Sequence, residues 1–335
     1  MASLSAANGC DVGDILAELG KNLADRWLTL LVLPGALYLA VLAAARTLGQ
    51  EHALDLRRLA DQVSSWANST AVHSTAALVA ILVAALLGAA AAGMAAQGIG
   101  SFIESLWLAP GWRTWPAPLR RLAEQRLRRR QASWQQAHAS YLDERNAAAR
   151  ALALSRIRGQ AAARSADLSG ARPADLSGAR EAMTRISPEY PARPTWIGDR
   201  IEAVTVRLNR DYRLDLATVW PSLWLAMPDG ACREVTASRQ ALTSATTLAG
   251  WGVLYLIPGA LWWPGLVVAA ATVTASYRRA RAAADTYART LDASAHLYSP
   301  DLARQLGIEH AGPLDKDTGW RLTCILQGRA ELLGS

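Results

Sequence analysis

"LTSATTLAGWGVLYLIPGALWWPGLVVAAATVTASY", residues 242–277, runs for thirty-six residues without an Asp, Glu, Lys or Arg. A helix rising 1.5 Å per residue crosses the hydrocarbon core of a bilayer in about twenty residues, so the stretch is too long for one span and barely enough for two. Pro258-Gly259 and Pro264-Gly265 flank Trp262 and Trp263 near its middle. This spacing predicts a tight helical hairpin with an aromatic tip; one long kinked helix is the rival.

Part of the stretch repeats an earlier phrase: WGVLYLIPGALWW (Trp251–Trp263) echoes WLTLLVLPGALYL (Trp27–Leu39). In the first copy the proline lies inside the apolar run, which favours the rival. Arginine placement decides for the hairpin. Arg278, Arg279, Arg281 and Arg289 follow the stretch, and twenty-two arginines lie between Phe102 and Gln240. Basic residues accumulate on the cytoplasmic side of bacterial membranes, and only a hairpin keeps both sets there. The repeated phrase is then a similar way of kinking a helix rather than a duplicated domain.

Two further spans are expected upstream. Val12, Ile15, Leu16, Leu19, Leu23 and Trp27 form an amphipathic stripe over residues 1–26 and the start of the first span, which is uncharged to Ala45. A cleavable leader ending near Ala43–Ala45 is the alternative, opposed by the long, net acidic segment before it. Residues 46–74 form an outer loop containing a short amphipathic helix; its Asn68-Ser-Thr has the form of a glycosylation acceptor, a match that is frequent by chance.

The second span, Thr75–Gly100, carries a small-residue ladder: Ala80, Ala84, Gly88, Ala92, Ala96 and Gly100. Small residues let membrane helices approach closely, so the ladder is the candidate helix-packing face and a route to homo-oligomers. An alanine-rich proteome also produces such spacing without selection. Trp27, Trp107, Trp112, Trp115, Trp220, Trp224, Trp262 and Trp263 are the candidate interface aromatics, because indoles favour the headgroup region.

Residues 101–240 read as an arginine-rich cytoplasmic helical domain. Leu127, Trp134, Tyr141 and Ala148 recur at sevenfold spacing, broken too often for a coiled coil. "ADLSGARPADLSGAR" begins at Ala166 and repeats from Ala174, predicting a mobile linker near 165–195. Trp220, Leu223, Trp224 and Met227 then share one face of an interfacial helix started by Pro221. Residues 278–335 form a cytoplasmic helical tail. The expected fold is therefore all-α: an integral membrane protein of about four transmembrane helices plus a cytoplasmic helical domain, in the bacterial plasma membrane with both termini cytoplasmic.

"YRLDLATVWPSLWLAMPD", the following "WGVLYL" and "RRARAAADTYARTLDASAHLY" resemble an uncharacterised family of multi-spanning integral membrane proteins from actinobacteria. The resemblance covers the C-terminal two-fifths and the first span. It implies a lineage and a membrane location, with no activity or functional residue to carry over.

Catalytic signatures are absent from the sequence: there is no phosphate-binding G-x-x-x-x-G-K-[ST], H-E-x-x-H or G-x-S-x-G. Cys10, Cys232 and Cys324 stand far apart, and His52, His73, His138, His296 and His310 do not cluster as metal ligands. No cofactor or metal is expected. The proposed spans hold no Asp, Glu, Lys or Arg, which weighs against ion-coupled transport. A passive opening lined by Ser74, Thr75, Gln97, Thr243, Thr246, Thr247, Thr272 and Thr274 stays open as an alternative.

The formal charge of +7 is an arginine charge, since Lys21 and Lys316 are the only lysines. Arg126, Arg128, Arg129 and Arg130 are its densest cluster, a candidate clamp on lipid headgroups, with a solvated helix face as the competing reading. Nucleic acid ranks third as a partner, because no recognition module accompanies the charge. The functional expectation is a non-enzymatic inner-membrane scaffold that self-associates and receives a cytoplasmic protein partner. A pore-forming effector of a defence or cell-death system is the alternative, ahead of an enzyme acting on lipids.

Overall fold

The computed structural model describes residues 33–53, 55–67, 75–163, 173–310, 312–329 and 331. Trp27, the stripe before it, Asn68 and the first ADLSG copy lie outside the described residues. Helices are the only regular elements among the described residues, so the chain is all-α. In chain order they are α1 (Leu33–Leu48), α2 (Leu56–Ala67), α3 (Thr75–Leu108), α4 (Ala117–Ala163), α5 (Pro173–Ile186), α6 (Trp196–Tyr212), α7 (Leu216–Ala226), α8 (Asp229–Leu254), α9 (Leu256–Leu261), α10 (Trp263–Gln305) and α11 (Lys316–Leu326). They form two compact units: unit 1 is Met1–Ile103 with Thr243–Arg278, and unit 2 is Glu104–Leu242 with Arg279–Ser335.

Among the described residues, two helical stretches are long and apolar enough to cross a membrane, Thr75–Leu108 and Asp229–Leu261. The sequence predicts four. The apolar part of α10 is short because Arg278 follows in the same helix, and α1, Leu33–Leu48, has sixteen residues.

Glycines bring these helices together backbone to backbone. A Cβ on Gly35 would collide with the Ala89 carbonyl, and one on Gly250 with the Ala96 carbonyl; on Gly100 it would stand 2.8 Å from Thr247 Cα. Each is a place where α3 packs on α1 or α8, and only a residue without a side chain permits that approach.

The chain reverses at Trp262, where α9 ends and α10 begins. Gly252 faces Val273, with its missing Cβ 2.6 Å from Val273 Cγ2, and the Ser276 hydroxyl donates to the Ala245 carbonyl at 2.7 Å. Such pairings are antiparallel, the contacts of a hairpin rather than of one kinked helix. The tip is tied to the loop after α1. Gln50 Nε2 donates to the Ala260 carbonyl (2.9 Å), Gln50 Oε1 accepts from Trp263 N (3.1 Å), and Trp262 Nε1 donates to the Ala53 carbonyl (2.8 Å). The two copies of the repeated phrase also meet: Tyr38 of the first packs on Trp251 and Tyr255 of the second, at 6.1 and 5.6 Å between ring centres.

Unit 2 has its own core, formed by Val204, Leu208, Val219, Leu223, Leu291, Leu302 and Leu322 among others, from α6, α7, α10 and α11. Its helices are capped in the ordinary way. Thr195 accepts from Gly198 N at the start of α6, Asp215 from Ala217 N at α7 and Asp315 from Thr318 N at α11. The α7 helix thus begins at Leu216, and Pro221 lies inside it rather than starting it.

A second expectation is corrected in unit 2. The linker predicted near 165–195 holds a helix, α5, whose first residue is Pro173, so the second ADLSG copy is helical. Proline suits a first helical position, where its missing N–H costs nothing. Residues 187–191 are tied to α4 as well: Trp134 Nε1 donates to the Ser187 carbonyl (3.1 Å) and Gln131 Nε2 to that of Pro191 (2.9 Å).

Candidate functional site

Unit 2 carries a cavity of about 530 Å³ between α5, α6 and α10. Arg180, Met183 and Thr184 come from α5; Trp196, Arg200, Arg207 and Arg210 from α6; Asp285 and Arg289 from α10; Pro188 and Glu189 complete the lining. On α6 the arginines recur at seven and then three residues, which places them along one helical face. On α10, Asp285 and Asp292 share the sevenfold spacing. The two series pair in parallel register: Arg200 Nε to Asp285 Oδ1 at 2.7 Å, and Arg207 Nη1 to Asp292 Oδ2 at 3.1 Å.

Positive charge exceeds negative in the lining, five arginines against two carboxylates. Asp285 is shared, its second oxygen lying 2.6 Å from Arg289. Arg210 contacts Asp211 (2.9 Å) and Glu189 (2.8 Å), and the Asp211 hydrogen bond above all holds this guanidinium's pKa above its ordinary value. The same bond lowers the Asp211 pKa. Arg180 has no carboxylate partner among the described residues. Trp196 has Arg281 over its ring at 4.2 Å, and its buried Nε1 has no hydrogen-bond acceptor among the described residues.

Beside the cavity lies a buried ion pair. Asp199, 3% exposed, accepts from Ala192 N (2.9 Å) and Arg193 N (2.7 Å), while Arg130 Nη2 reaches its Oδ2 at 2.7 Å and donates to the Ile186 carbonyl at 2.8 Å. Burial raises the Asp199 pKa above the ordinary aspartate value, and Arg130 opposes that shift.

The candidate residues read from sequence fall in different places. Of the arginine cluster, Arg126, Arg128 and Arg129 are exposed, whereas Arg130 points into unit 2 as the partner of Asp199. It is a structural cation and no headgroup clamp. Of the aromatics, Trp112 is buried with Ala109, Ala123 and Leu127, and Trp115 packs against that cluster. Trp220 and Trp224 pack against the unit 2 core, where Leu223 and Met227 are buried. A stripe of apolar residues reads the same whether it faces lipid or protein, and these four pack against protein, Trp112 buried and the other three half-buried. The Trp107 carbonyl accepts from the Thr195 hydroxyl. Trp262 is half-buried and bonded to the loop, and Trp263 is exposed.

The small-residue ladder divides. Ala80 and Ala84 are exposed, Gly88 and Ala92 half-buried, Ala96 and Gly100 buried. The face that packs is Ala89, Gly93, Ala96 and Gly100, spaced four, three and four. A strict four-residue repeat turns about 40° per step around a helix of 3.6 residues per turn, so a six-member ladder cannot stay on one face. Mixed spacing of three and four can.

Sequence reasoning missed the cavity. Its signal was present as arginines at 200, 207 and 210 against aspartates at 285 and 292, but the pairing of distant segments is not written in either alone. No metal-type grouping of His, Cys, Asp and Glu occurs among the described residues. No protein-family profile, curated protein or solved structure matches the chain.

Proposed function

We propose that the chain is a non-enzymatic integral membrane protein of the bacterial inner membrane, a scaffold that self-associates through α3 and presents unit 2 to a cytoplasmic partner. The observation that carries this reading is the outer surface of α3. Leu78, Val79, Ile81, Leu82, Val83, Leu86 and Leu87 are all exposed. Leaving seven large aliphatic side chains in water forfeits on the order of 10 kcal/mol of burial, which rivals the whole stability of a typical domain. Lipid, with a second copy at the Ala80/Ala84 end, is the solvent that fits. On this reading α1, α3, α8–α9 and the start of α10 are four spans, and the arginine-rich segments beyond them are cytoplasmic.

The experiment has two parts. A reporter fused after Ser335 is expected to be active only in the cytoplasm, and a periplasmic signal removes the topology. Ala80→Leu with Ala84→Leu is expected to reduce oligomer size in detergent or nanodiscs; unchanged size removes self-association through α3. A potential-sensitive dye in the expressing cells reads the pore alternative directly, since depolarisation would replace the scaffold reading.

A further inference from the structure

We infer that the unit 2 cavity is a binding site for a soluble oligophosphate compound. The inference goes beyond the scaffold reading and stands on unit 2 alone, whether or not α3 self-associates. At about 530 Å³ the cavity is within the range of small-molecule sites. Its polar lining is dominated by donors. Five guanidinium groups face two carboxylates in the lining, Asp285 held by Arg200 and Arg289 and Glu189 by Arg210, while Asp292 and Asp211 just outside it hold Arg207 and Arg210. An arginine bonded through one edge keeps further N–H groups to offer, in the planar fork that matches phosphate oxygens.

Two donors are uncommitted among the described residues. Arg180 has no ion pair, and the buried Trp196 Nε1 has no acceptor. An indole N–H hidden from water without a partner costs free energy, which an acceptor oxygen on a bound ligand would recover. Everything left unsatisfied in the lining is therefore asking for acceptors.

Shape favours an extended anion. Arg200, Arg207 and Arg210 are spread along about 15 Å of helix at 1.5 Å per residue, with Arg180 and Arg289 supplied by two other helices. A single small anion would meet only part of that row, whereas linked phosphates can engage several guanidinium groups together. Carboxylates can also bind arginine, but with fewer oxygens per charged centre.

The test is calorimetric titration of the full chain, in nanodiscs of neutral phosphatidylcholine, with inorganic triphosphate, orthophosphate and citrate. Saturable binding of triphosphate, tighter than that of the other two, is expected. Arg180→Ala, an exposed and unpaired site, is expected to weaken it at least about tenfold, the loss of one strong charge-assisted contact. Trp196→Phe is expected to weaken it while leaving Tm in the absence of ligand unchanged or higher. Arg128→Ala with Arg129→Ala, outside the cavity, should leave it unchanged. Repeating the titration in phosphatidylglycerol nanodiscs separates the sources: undiminished affinity for triphosphate assigns the site to a soluble compound, and its loss by competition assigns the phosphate to a lipid headgroup and overturns the soluble ligand. No saturable binding at millimolar triphosphate, or equal weakening by the Arg128/Arg129 and Arg180 variants, overturns the site itself. Because each readout is ligand binding, failure here leaves the topology and oligomer results untouched.

Discussion

Gly250 and Ala96 meet backbone against backbone, with no room for a Cβ between them. Gly250→Val is therefore expected to destabilise unit 1 by about 1–3 kcal/mol, the usual cost of overpacking. Gly98, two residues from Ala96 on the same helix, has nothing within 4 Å of its missing Cβ. Gly98→Ala should be neutral or stabilising by up to about 1 kcal/mol. Denaturation of the two variants in mixed micelles checks the contrast; equal effects would mean that the close approach is absent.

Removing Arg130 leaves the Asp199 carboxyl buried without its cation. Arg130→Leu is expected to cost about 3–5 kcal/mol, and Arg129→Ala, at an exposed position one residue away, nearly nothing. The pH dependence has a definite sign. Asp199 already titrates above its ordinary 3.8 in the folded protein. Its folded form thus holds a proton that the unfolded chain has released, and stability falls as pH rises from about 3.8 through the folded value. Without Arg130 the folded value climbs further, so the loss should extend to higher pH. Thermal melts of the variant from pH 4 to 8 read this, and a flat profile would count against the pair.

At Asp315 the sign is opposite. Hydrogen bonds from Thr318, its hydroxyl first and its backbone N–H second, hold the Asp315 pKa below 3.8. Its contribution is fully present above about 3.8 and is lost as pH falls through the lower folded value. Asp315→Ala should cost about 1 kcal/mol at neutral pH, the ordinary worth of an N-cap. Asp315→Asn should keep most of the cap while flattening the acid limb of the stability profile.

The ring of Tyr38 joins both copies of the repeated phrase. Tyr38→Ala should cost about 3–5 kcal/mol and alter Trp251 fluorescence, whereas Tyr38→Phe keeps the ring and should do neither. A silent Tyr38→Ala would show that the phrases fold independently.

Much of the helical layout was legible because it depends on local pattern. The uncharged run from Thr75 and the chain reversal at Trp262 follow from composition and from paired Pro-Gly steps. The sevenfold stripe at Trp134 and Tyr141 was visible too, and Trp134 lies against residues 187 and 190, though as part of a pair with α5 that the Gly-Ser-containing duplication concealed. What was not legible is which solvent each apolar face meets. Trp112, Trp220 and Trp224 have the residue type and setting of headgroup anchors, yet they pack on protein. Arg130 looked like one of four equivalent cations until Asp199, remote in sequence, was placed beside it.

The equal spacing of Arg200–Asp285 and Arg207–Asp292 bears on motion within unit 2. Sliding α10 past α6 by one turn, about 5.4 Å, would break both bridges at once and offer neither arginine a replacement at matching height. The two rungs therefore act as a detent in one respect: a rigid slide of one helix along the other loosens both together rather than one after the other.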